Sequence, residues 1–392
     1  MQSTPGNPRR RYSRVLPRTE KLIVRRQAAP ATRQNEEPLP QPTGQSPYHL
    51  SLDQILPAAT VQAIQAAGKL VFHIVGDTGG VKSGQDQEIV ANHMEQDFTA
   101  TDPTARPAFF YHLGDVVYYY GAAGEYYSQF YDPYAHYEAP ILGIPGNHDG
   151  DIDPSNPAPS LAAYVENFCA KEPQLSSEAG DSGRDAMTQP NVYWTLETPF
   201  ATFIGLYTNV PEGGWMDNNQ IAWFQSELSS APTNKALIVS CHHPIYSADT
   251  YHSGSAYMGN IIDQAIQASG RIPDAVFTGH VHNYQRFTRS YSGRQIPYIV
   301  AGGGGYWHLH TMMTVNGAQI QTPYQVPDED AILESYCANR HSYMIIEVDG
   351  QTLKGQSFSV PRLQESWSAP AQLIDSFTLN LQTHQVQTNP LS

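Results

Sequence analysis

Five short polar motifs, nearly all directly after a short apolar run, constrain the fold of this chain more than any other feature. Apolar runs of this length are typical of buried strands, and the amphipathic stretches between several of them are typical of helices. The runs lie at about 69–75, 108–113, 141–145, 202–207, 236–241, 275–278 and 297–301, with helices predicted near 84–99, 219–229 and 256–268. Strands that alternate with helices predict an α/β fold.

The last part of the chain has a different pattern. Residues 342–348, 353–359 and 374–381 are predicted to be strands joined by short turns, and Asp349-Gly350 is a hairpin signal. A parallel-rich half followed by a more antiparallel half predicts two packed mixed β-sheets flanked by helices.

The start of the chain differs from the rest in charge and periodicity. Residues 1–33 contain nine Lys or Arg and one acid, although the whole chain has a formal charge of −15. Without apolar periodicity, residues 1–47 are predicted to form a disordered basic tail. Residues 48–385 are predicted to be one folded domain, and residues 386–392 a C-terminal tail.

Composition excludes several classes of protein. The acidic body does not favour nucleic-acid binding. The sequence has no run of 18 apolar residues, so no membrane span is expected. The Arg-rich start lacks the apolar segment of a signal peptide, which predicts a cytoplasmic protein. Three cysteines without Cys-x-x-Cys spacing give neither a disulfide framework nor a zinc finger.

The five motifs together carry the ligands of a metal site. Alone, each is more often a turn or a polar loop tip than a ligand. Because ligands gather where the strands of an α/β sheet end, however, we expect the motifs to meet. Two carboxylates, an amide oxygen and three imidazoles suit transition metals better than Ca²⁺. The motifs are Gly76-Asp77-Thr78-Gly79, Gly114-Asp115-Val116-Val117-Tyr118, Gly146-Asn147-His148-Asp149, His242-His243-Pro244 and Gly279-His280-Val281-His282.

Their order resembles the pattern of the calcineurin-like metallophosphoesterase superfamily. Two details resemble its purple acid phosphatase branch: Gly79 stands where most members have a metal-binding histidine, and the second motif ends in Tyr118. The resemblance implies a four-layer metallophosphoesterase sandwich and a catalytic domain over 48–385.

The resemblance also implies two metal ions. Asp77, Tyr118 and His282 would hold Fe³⁺. Asn147, His242 and His280 would hold a divalent ion (Fe²⁺, Zn²⁺ or Mn²⁺). Asp115 would bridge the two ions. A phenol with a pKa of about 10 ionises readily only beside a highly charged ion, which agrees with Fe³⁺ next to Tyr118.

Other histidines receive separate predictions. By the resemblance, His148 and His252 would contact the phosphate or protonate the leaving group, with His252 assigned on loop spacing alone. His243 is predicted to point to the opposite side and to have no role. His73 and His112, inside predicted strands, are predicted to be core or supporting residues.

The function implied by the resemblance is a binuclear metal-dependent acid phosphatase, which hydrolyses phosphate monoesters by attack of a metal-bound hydroxide. Its partner would be a small-molecule phosphate ester, and members of the family are often exported. A phosphodiesterase or nucleotide pyrophosphatase on the same site stays open, because specificity would depend on loops such as 150–190 and 303–335. Two other classes are a phosphate-binding or regulatory protein with a degenerate site and a nucleic-acid or structural module that uses the basic tail.

Overall fold

The fold is that of a computed structural model, which describes residues 26–27 and 36–391. Most of the predicted basic tail, residues 1–25 and 28–35, lies outside the described residues. The α-helices are α1 (Ala58–Ala67), α2 (Gln85–Gln96), α3 (Asn147–Gly150), α4 (Ala162–Phe168), α5 (Asn218–Ser230) and α6 (Ala256–Ser269). Within the described ranges, no helix has both the length and the apolar character needed to cross a bilayer.

Most of the strands form two large sheets. The strands are β1 (Arg26–Gln27), β2 (His49–Ser51), β3 (Lys69–Val75), β4 (Phe110–His112), β5 (Ile141–Gly143), β6 (Trp194–Glu197), β7 (Ala201–Leu206), β8 (Ala236–Cys241), β9 (Gly254–Ser255), β10 (Ala275–Thr278), β11 (Tyr284–Tyr291), β12 (Arg294–Ala301), β13 (Thr314–Val315), β14 (Ala318–Gln319), β15 (Tyr324–Gln325), β16 (Ala331–Cys337), β17 (Ser342–Asp349), β18 (Thr352–Ser359), β19 (Gln372–Asn380) and β20 (Gln385–Thr388). Strand β1 pairs with β9, and β13 pairs with β14, in separate two-stranded sheets.

The sheet order confirms the predicted fold class. One sheet has nine strands in the order β15-β16-β11-β12-β10-β8-β7-β6-β2, and the other has seven in the order β20-β19-β18-β17-β3-β4-β5. Both sheets are mixed. In the larger sheet, β7, β8, β10 and β12 are parallel. In the smaller sheet, β3, β4 and β5 are parallel, while β17, β18, β19 and β20 pair antiparallel.

The core between the two sheets forms because side chains alternate sides along each strand. On β3, Phe72 lies against Phe109, with ring centroids 5.1 Å apart, and against Phe203 of the other sheet, at 5.0 Å. His73 points the opposite way because successive strand residues face opposite sides. It is fully buried, and its ring nitrogens contact Tyr137 Oη at 2.9 Å and an Asp97 carboxylate oxygen at 3.0 Å. The core role predicted for His73 is confirmed.

Residues just outside both predicted domain boundaries contact the folded body. Residues 36–47, grouped with the tail, lie against the body: Glu37 N donates to Asn209 Oδ1 at 2.9 Å, and Gly44 N donates to Pro190 O at 2.8 Å. Both hydrogen bonds are donated by backbone amides of residues 36–47, so apolar periodicity could not reveal them. At the other end, β20, which includes the first residues of the predicted C-terminal tail, pairs with β19.

A chain that begins at residue 36 is expected to unfold in urea at a concentration close to that of the full chain, because β1 contributes only two residue pairs with β9. A chain that begins at residue 48 should lose about 3–5 kcal/mol of unfolding free energy, at about 1 kcal/mol for each lost hydrogen bond. Trp223 Nε1, which donates to Pro47 O at 2.7 Å, would lose its partner as well. Equal midpoints for the two shortened chains would show that residues 36–47 do not stabilise the domain.

Candidate metal centre

The motif loops place their side chains at the edge where the parallel strands end. Asp77 follows β3, Asp115 follows β4, and His280 follows β10. All three have positive φ angles, of 58°, 55° and 68°. Such a backbone is uncommon outside glycine and costs about 1–3 kcal/mol, so the surrounding hydrogen bonds must hold it. The Asp77 amide donates to Gly114 O at 2.9 Å, and the His280 amide donates to Asp77 Oδ2 at 2.8 Å.

One group of donor atoms joins Asp77, Tyr118 and His282. Tyr118 Oη lies 3.4 Å from Asp77 Oδ1 and 3.4 Å from His282 Nε2. The distance from His282 Nε2 to Asp77 Oδ1 is 3.5 Å. The three atoms therefore form a nearly equilateral triangle.

A second group adjoins the first. Asn147 Oδ1 lies 3.1 Å from His242 Nε2 and 2.9 Å from His280 Nδ1. Asp115 Oδ2 lies 3.4 Å from His242 Nε2. His242 Nε2 is in turn 4.0 Å from Asp77 Oδ1 in the first group. All seven residues predicted to bind metal thus lie in one continuous cluster.

The two groups fit metal ions. Donor atoms at about 2.1 Å from one ion lie about 3.0 Å apart at right angles and about 3.4 Å apart at tetrahedral angles. The separations within the groups are close to these values. Asp77 and Asp115 are 0% and 1% exposed. Since buried carboxylates need a compensating cation or hydrogen-bond donors, bound cations would stabilise the pair.

Carbonyl groups behind the ligands fix the histidine tautomers. His242 Nδ1 donates to Leu113 O at 2.8 Å, which leaves its Nε2 as the free donor atom for a metal. His282 Nδ1 lies 3.1 Å from His308 O, with the same consequence. Partners of this kind are usual behind metal-binding histidines.

Gly79 leaves space for the Tyr118 ring. A Cβ built on Gly79 would lie 2.6 Å from Tyr118 Cδ2, in the space that the ring fills. A histidine at position 79 and a tyrosine at position 118 would therefore compete for one volume. This gives a physical reason for the two departures from the common superfamily pattern to occur together.

Gly79→Ala is expected to lower the free energy of unfolding by about 1–3 kcal/mol, the usual cost of an overpacked site. Gly124→Ala is a matched control, because a Cβ at Gly124 would meet no atom within 4 Å. Chemical denaturation of both variants measures the difference. If both variants unfold alike, Gly79 does not confine the Tyr118 ring.

The protonation of the ligands follows from burial and neighbouring charge. Burial raises the pKa of Asp77, and the charge of Asp115 raises it further. Burial acts the same way on Asp115, but His242 and His148 outweigh it and hold the Asp115 pKa below its usual range. Burial and the charges of Asp115 and Asp77 also keep the pKa of Tyr118 well above 10. Tyr118 would therefore ionise only beside a strongly charged cation.

The two outer histidines adjoin the cluster. The His148 ring lies 4.6 Å from the Tyr118 ring between centroids, and its Nδ1 contacts Tyr119 O at 2.9 Å. The His252 ring lies 4.3 Å from the His280 ring. Burial lowers the His252 pKa, but the charge of Glu212 outweighs it and raises the pKa to about 9.

Two further histidines show where the sequence interpretation was right and where it was wrong. His112 supports the motif loops as predicted, since its Nε2 contacts Thr78 Oγ1 at 2.8 Å. His243 does not point away from the site. Its ring centroid is 4.4 Å from that of His280, and its Nδ1 contacts Thr208 Oγ1 at 2.7 Å. The residue after a strand end need not alternate sides, because the chain has already turned.

Three residues at the site were missed. Glu212 lies 3.0 Å from His252 Nδ1. Asp249 accepts hydrogen bonds from the backbone amide of His252 at 2.6 Å and contacts His310 Nδ1 at 2.8 Å. The His310 ring stacks on His282 at 4.2 Å. The His308-Leu309-His310 spacing was a signal that could have identified His310, whereas Glu212 and Asp249 lie in loops without a motif.

The chain is similar in sequence to known phosphoesterases. The family model for calcineurin-like phosphoesterases matches residues 70–284. Purple acid phosphatase 18 of Arabidopsis thaliana is 28% identical over 176 residues, which are 42% of this chain and 36% of that protein. Purple acid phosphatase 15 of the same plant is 26% identical over 212 residues, 51% of this chain and 36% of that protein. The chain therefore matches about a third of the length of each relative.

Two solved structures share the fold. A purple acid phosphatase from yellow lupin (Lupinus luteus) seeds has a TM-score of 0.53 and 17% identity, over 79% of this chain and 53% of its own. GAP50 of Plasmodium, described as the anchor in the inner membrane complex, has a TM-score of 0.54 and 15% identity, over 80% of this chain and 89% of its own. At such identities the likeness shows the fold alone.

Proposed function

The chain belongs to the calcineurin-like phosphoesterase family and is similar to its purple acid phosphatases, and from this premise we propose that it is a binuclear metal-dependent hydrolase of phosphate esters. Its preferred reaction is hydrolysis of phosphate monoesters at acidic pH. The proposed substrate is a small-molecule phosphate ester, and the proposed catalytic domain spans 48–385.

One observation carries the proposal. Seven donor residues from five separate loops converge in two adjoining groups, with donor atoms separated by 2.9–4.0 Å. Packing alone would not explain why five loops, distant in sequence, bring together seven side chains that can each bind a metal. GAP50 shares the fold and is named as an anchor, so the fold by itself supports either class. The complete donor set favours the enzyme over a binding protein with a degenerate site.

The proposed ions divide between the two groups. Asp77, Tyr118 and His282 would hold Fe³⁺, and Asn147, His242 and His280 would hold Fe²⁺, Zn²⁺ or Mn²⁺, with Asp115 shared. The hard phenolate and carboxylate oxygens of the first group favour the trivalent ion. When bound, the two ions would supply an acidified water and positive charge beside the phosphate.

Side chains of the protein would bind the phosphate and protonate the leaving group. His148, next to Asn147 in α3, would donate a hydrogen bond to a phosphoryl oxygen as negative charge builds there. His252 would give its proton to the departing alcohol oxygen. The contact of His252 with Glu212 at 3.0 Å supports this role, because a neighbouring carboxylate favours the protonated imidazole.

A panel of substrates tests the proposed reaction. Purified protein, metallated and assayed from pH 4 to 8, should hydrolyse 4-nitrophenyl phosphate faster than bis(4-nitrophenyl) phosphate or a dinucleotide pyrophosphate. A higher kcat/KM for the diester or the pyrophosphate would favour the alternative esterase on the same site. Loss of all three activities in a correctly folded, metallated protein would favour a binding protein.

A further inference from the structure

Glu212 connects two of the imidazole rings at the metal centre and also reaches solvent. It lies on the loop between β7 and α5. One carboxylate oxygen is 3.0 Å from His252 Nδ1, and the other is 3.5 Å from His280 Nε2. The opposite nitrogen of His280 faces Asn147 Oδ1 at 2.9 Å. The Glu212 side chain is nevertheless 42% exposed, so its carboxylate also contacts solvent.

The loop that carries Glu212 is held on several sides. Trp215 N donates to Thr208 O at 2.8 Å and closes the loop. Ser255 Oγ, at the start of α6, donates to Gly213 O. Gly214 has a φ of +78°, and a Cβ there would lie 3.2 Å from His243 Nδ1. The position of Glu212 next to His252 is therefore set by the fold rather than by a mobile surface chain.

The charge of Glu212 lies beside the position from which the alcohol would depart. In the proposed hydrolysis, the water oxygen forms a bond to phosphorus and the bond from phosphorus to the alcohol oxygen breaks. The alcohol oxygen takes the proton of His252, and the proton lost by water returns to His252 through solvent. His252 Nδ1 lies 3.0 Å from the Glu212 carboxylate. An alcohol that takes its proton from His252 therefore leaves within a few ångströms of a negative charge.

Resting on the function proposed above, we propose that Glu212 restricts the substrates to phosphate monoesters whose departing alcohol is neutral or positively charged. A leaving group that carries its own negative charge, such as a carboxylate-bearing alcohol or a nucleoside diphosphate, is repelled most in the transition state. Discrimination of this kind appears in kcat/KM, because the leaving group comes nearest to Glu212 in the transition state, as its bond to phosphorus breaks beside His252.

Two aryl phosphates that differ by one charge test this proposal. Phenyl phosphate and 3-carboxyphenyl phosphate are compared by kcat/KM in the native chain and in Glu212→Gln. Glutamine keeps an oxygen that accepts from His252 but removes the charge. We expect the native preference for phenyl phosphate to fall by about 5-fold in the variant, the effect of one charge several ångströms away in a partly hydrated site. Added salt should weaken the native preference and leave the variant unchanged.

Glu172→Gln is the matched control, because Glu172 is exposed and its replacement changes the net charge equally. It should keep the native preference. If Glu212 only orients His252 and His280, Glu212→Gln will slow both esters by one factor and leave their ratio unchanged, which overturns the proposal. If the native, metallated chain hydrolyses neither ester, the phosphoesterase function itself fails instead.

Discussion

Asp115→Asn is expected to abolish hydrolysis and to lower occupancy of both metal positions. A bridging carboxylate feels the charge of both ions, so loss of its negative charge weakens both positions together. Residues that merely support metal ligands contribute about 10–100-fold to affinity or activity, so loss of a shared ligand should reduce kcat by more than about 100-fold. Metal analysis and the rate with 4-nitrophenyl phosphate measure the two effects on the same preparation.

Asp185→Asn serves as the control for Asp115→Asn, because Asp185 is exposed on the loop after α4. This variant should keep native metal content and rate. The amide of His148 donates to Asp115 Oδ1 at 2.9 Å, and an asparagine oxygen can still accept it, so the loop should keep its shape. An Asp115→Asn protein that keeps two ions and near-native turnover would rule out a shared ligand at this position.

Tyr118→Phe is expected to remove the visible colour of the iron-loaded protein. Colour of this kind arises when a phenolate donates charge to Fe³⁺, and Tyr118 Oη lies 3.4 Å from both Asp77 Oδ1 and His282 Nε2. Phenylalanine keeps the ring, which packs 4.4 Å from Tyr306 between centroids, and deletes only the oxygen. Absorption between 400 and 700 nm measures the change. The rate should fall less than in Asp115→Asn, because the other ligands of that ion remain.

Tyr119→Phe is the control for colour. Tyr119 is adjacent in the chain, but its Oη contacts Tyr306 Oη at 3.2 Å and none of the proposed metal ligands. Its variant should keep the native absorption band. A native protein that is colourless, binds two divalent ions and does not respond to Tyr118→Phe would contradict the assignment of Fe³⁺ and leave a wider metallophosphoesterase function in place.

The predictable parts of the fold are the elements whose buried residues are apolar and regularly spaced in the sequence. The sequence predicts β3, α5 and α6 because the spacing of their apolar residues and their residue types indicate the same kind of element. β11 was missed, since its buried positions include Arg286 and Arg289. Arg286 forms an ion pair with Asp375 at 2.6 Å, and Arg289 forms one with Asp263 at 2.6 Å. An arginine that is buried through an ion pair with a distant acid gives no local hydrophobic signal in the sequence.

The same distinction applies to the candidate site. Each of the five motifs stands at a strand end, so a sheet edge brings them together and the sequence alone predicts the cluster. Glu212 is placed by hydrogen bonds of its loop to residues elsewhere in the chain. Asp249 reaches His310 across 61 positions of sequence. Contacts between residues so far apart in sequence depend on how the loops fold. No local sequence pattern predicts them.

The most direct test of the account is the metal content of the purified chain, measured together with hydrolysis of 4-nitrophenyl phosphate before chelation, after chelation and after metal is restored. Two ions per chain are predicted, one of them iron, with activity lost on removal and recovered on return. A folded chain that hydrolyses the ester at an unchanged rate without metal would contradict the binuclear site.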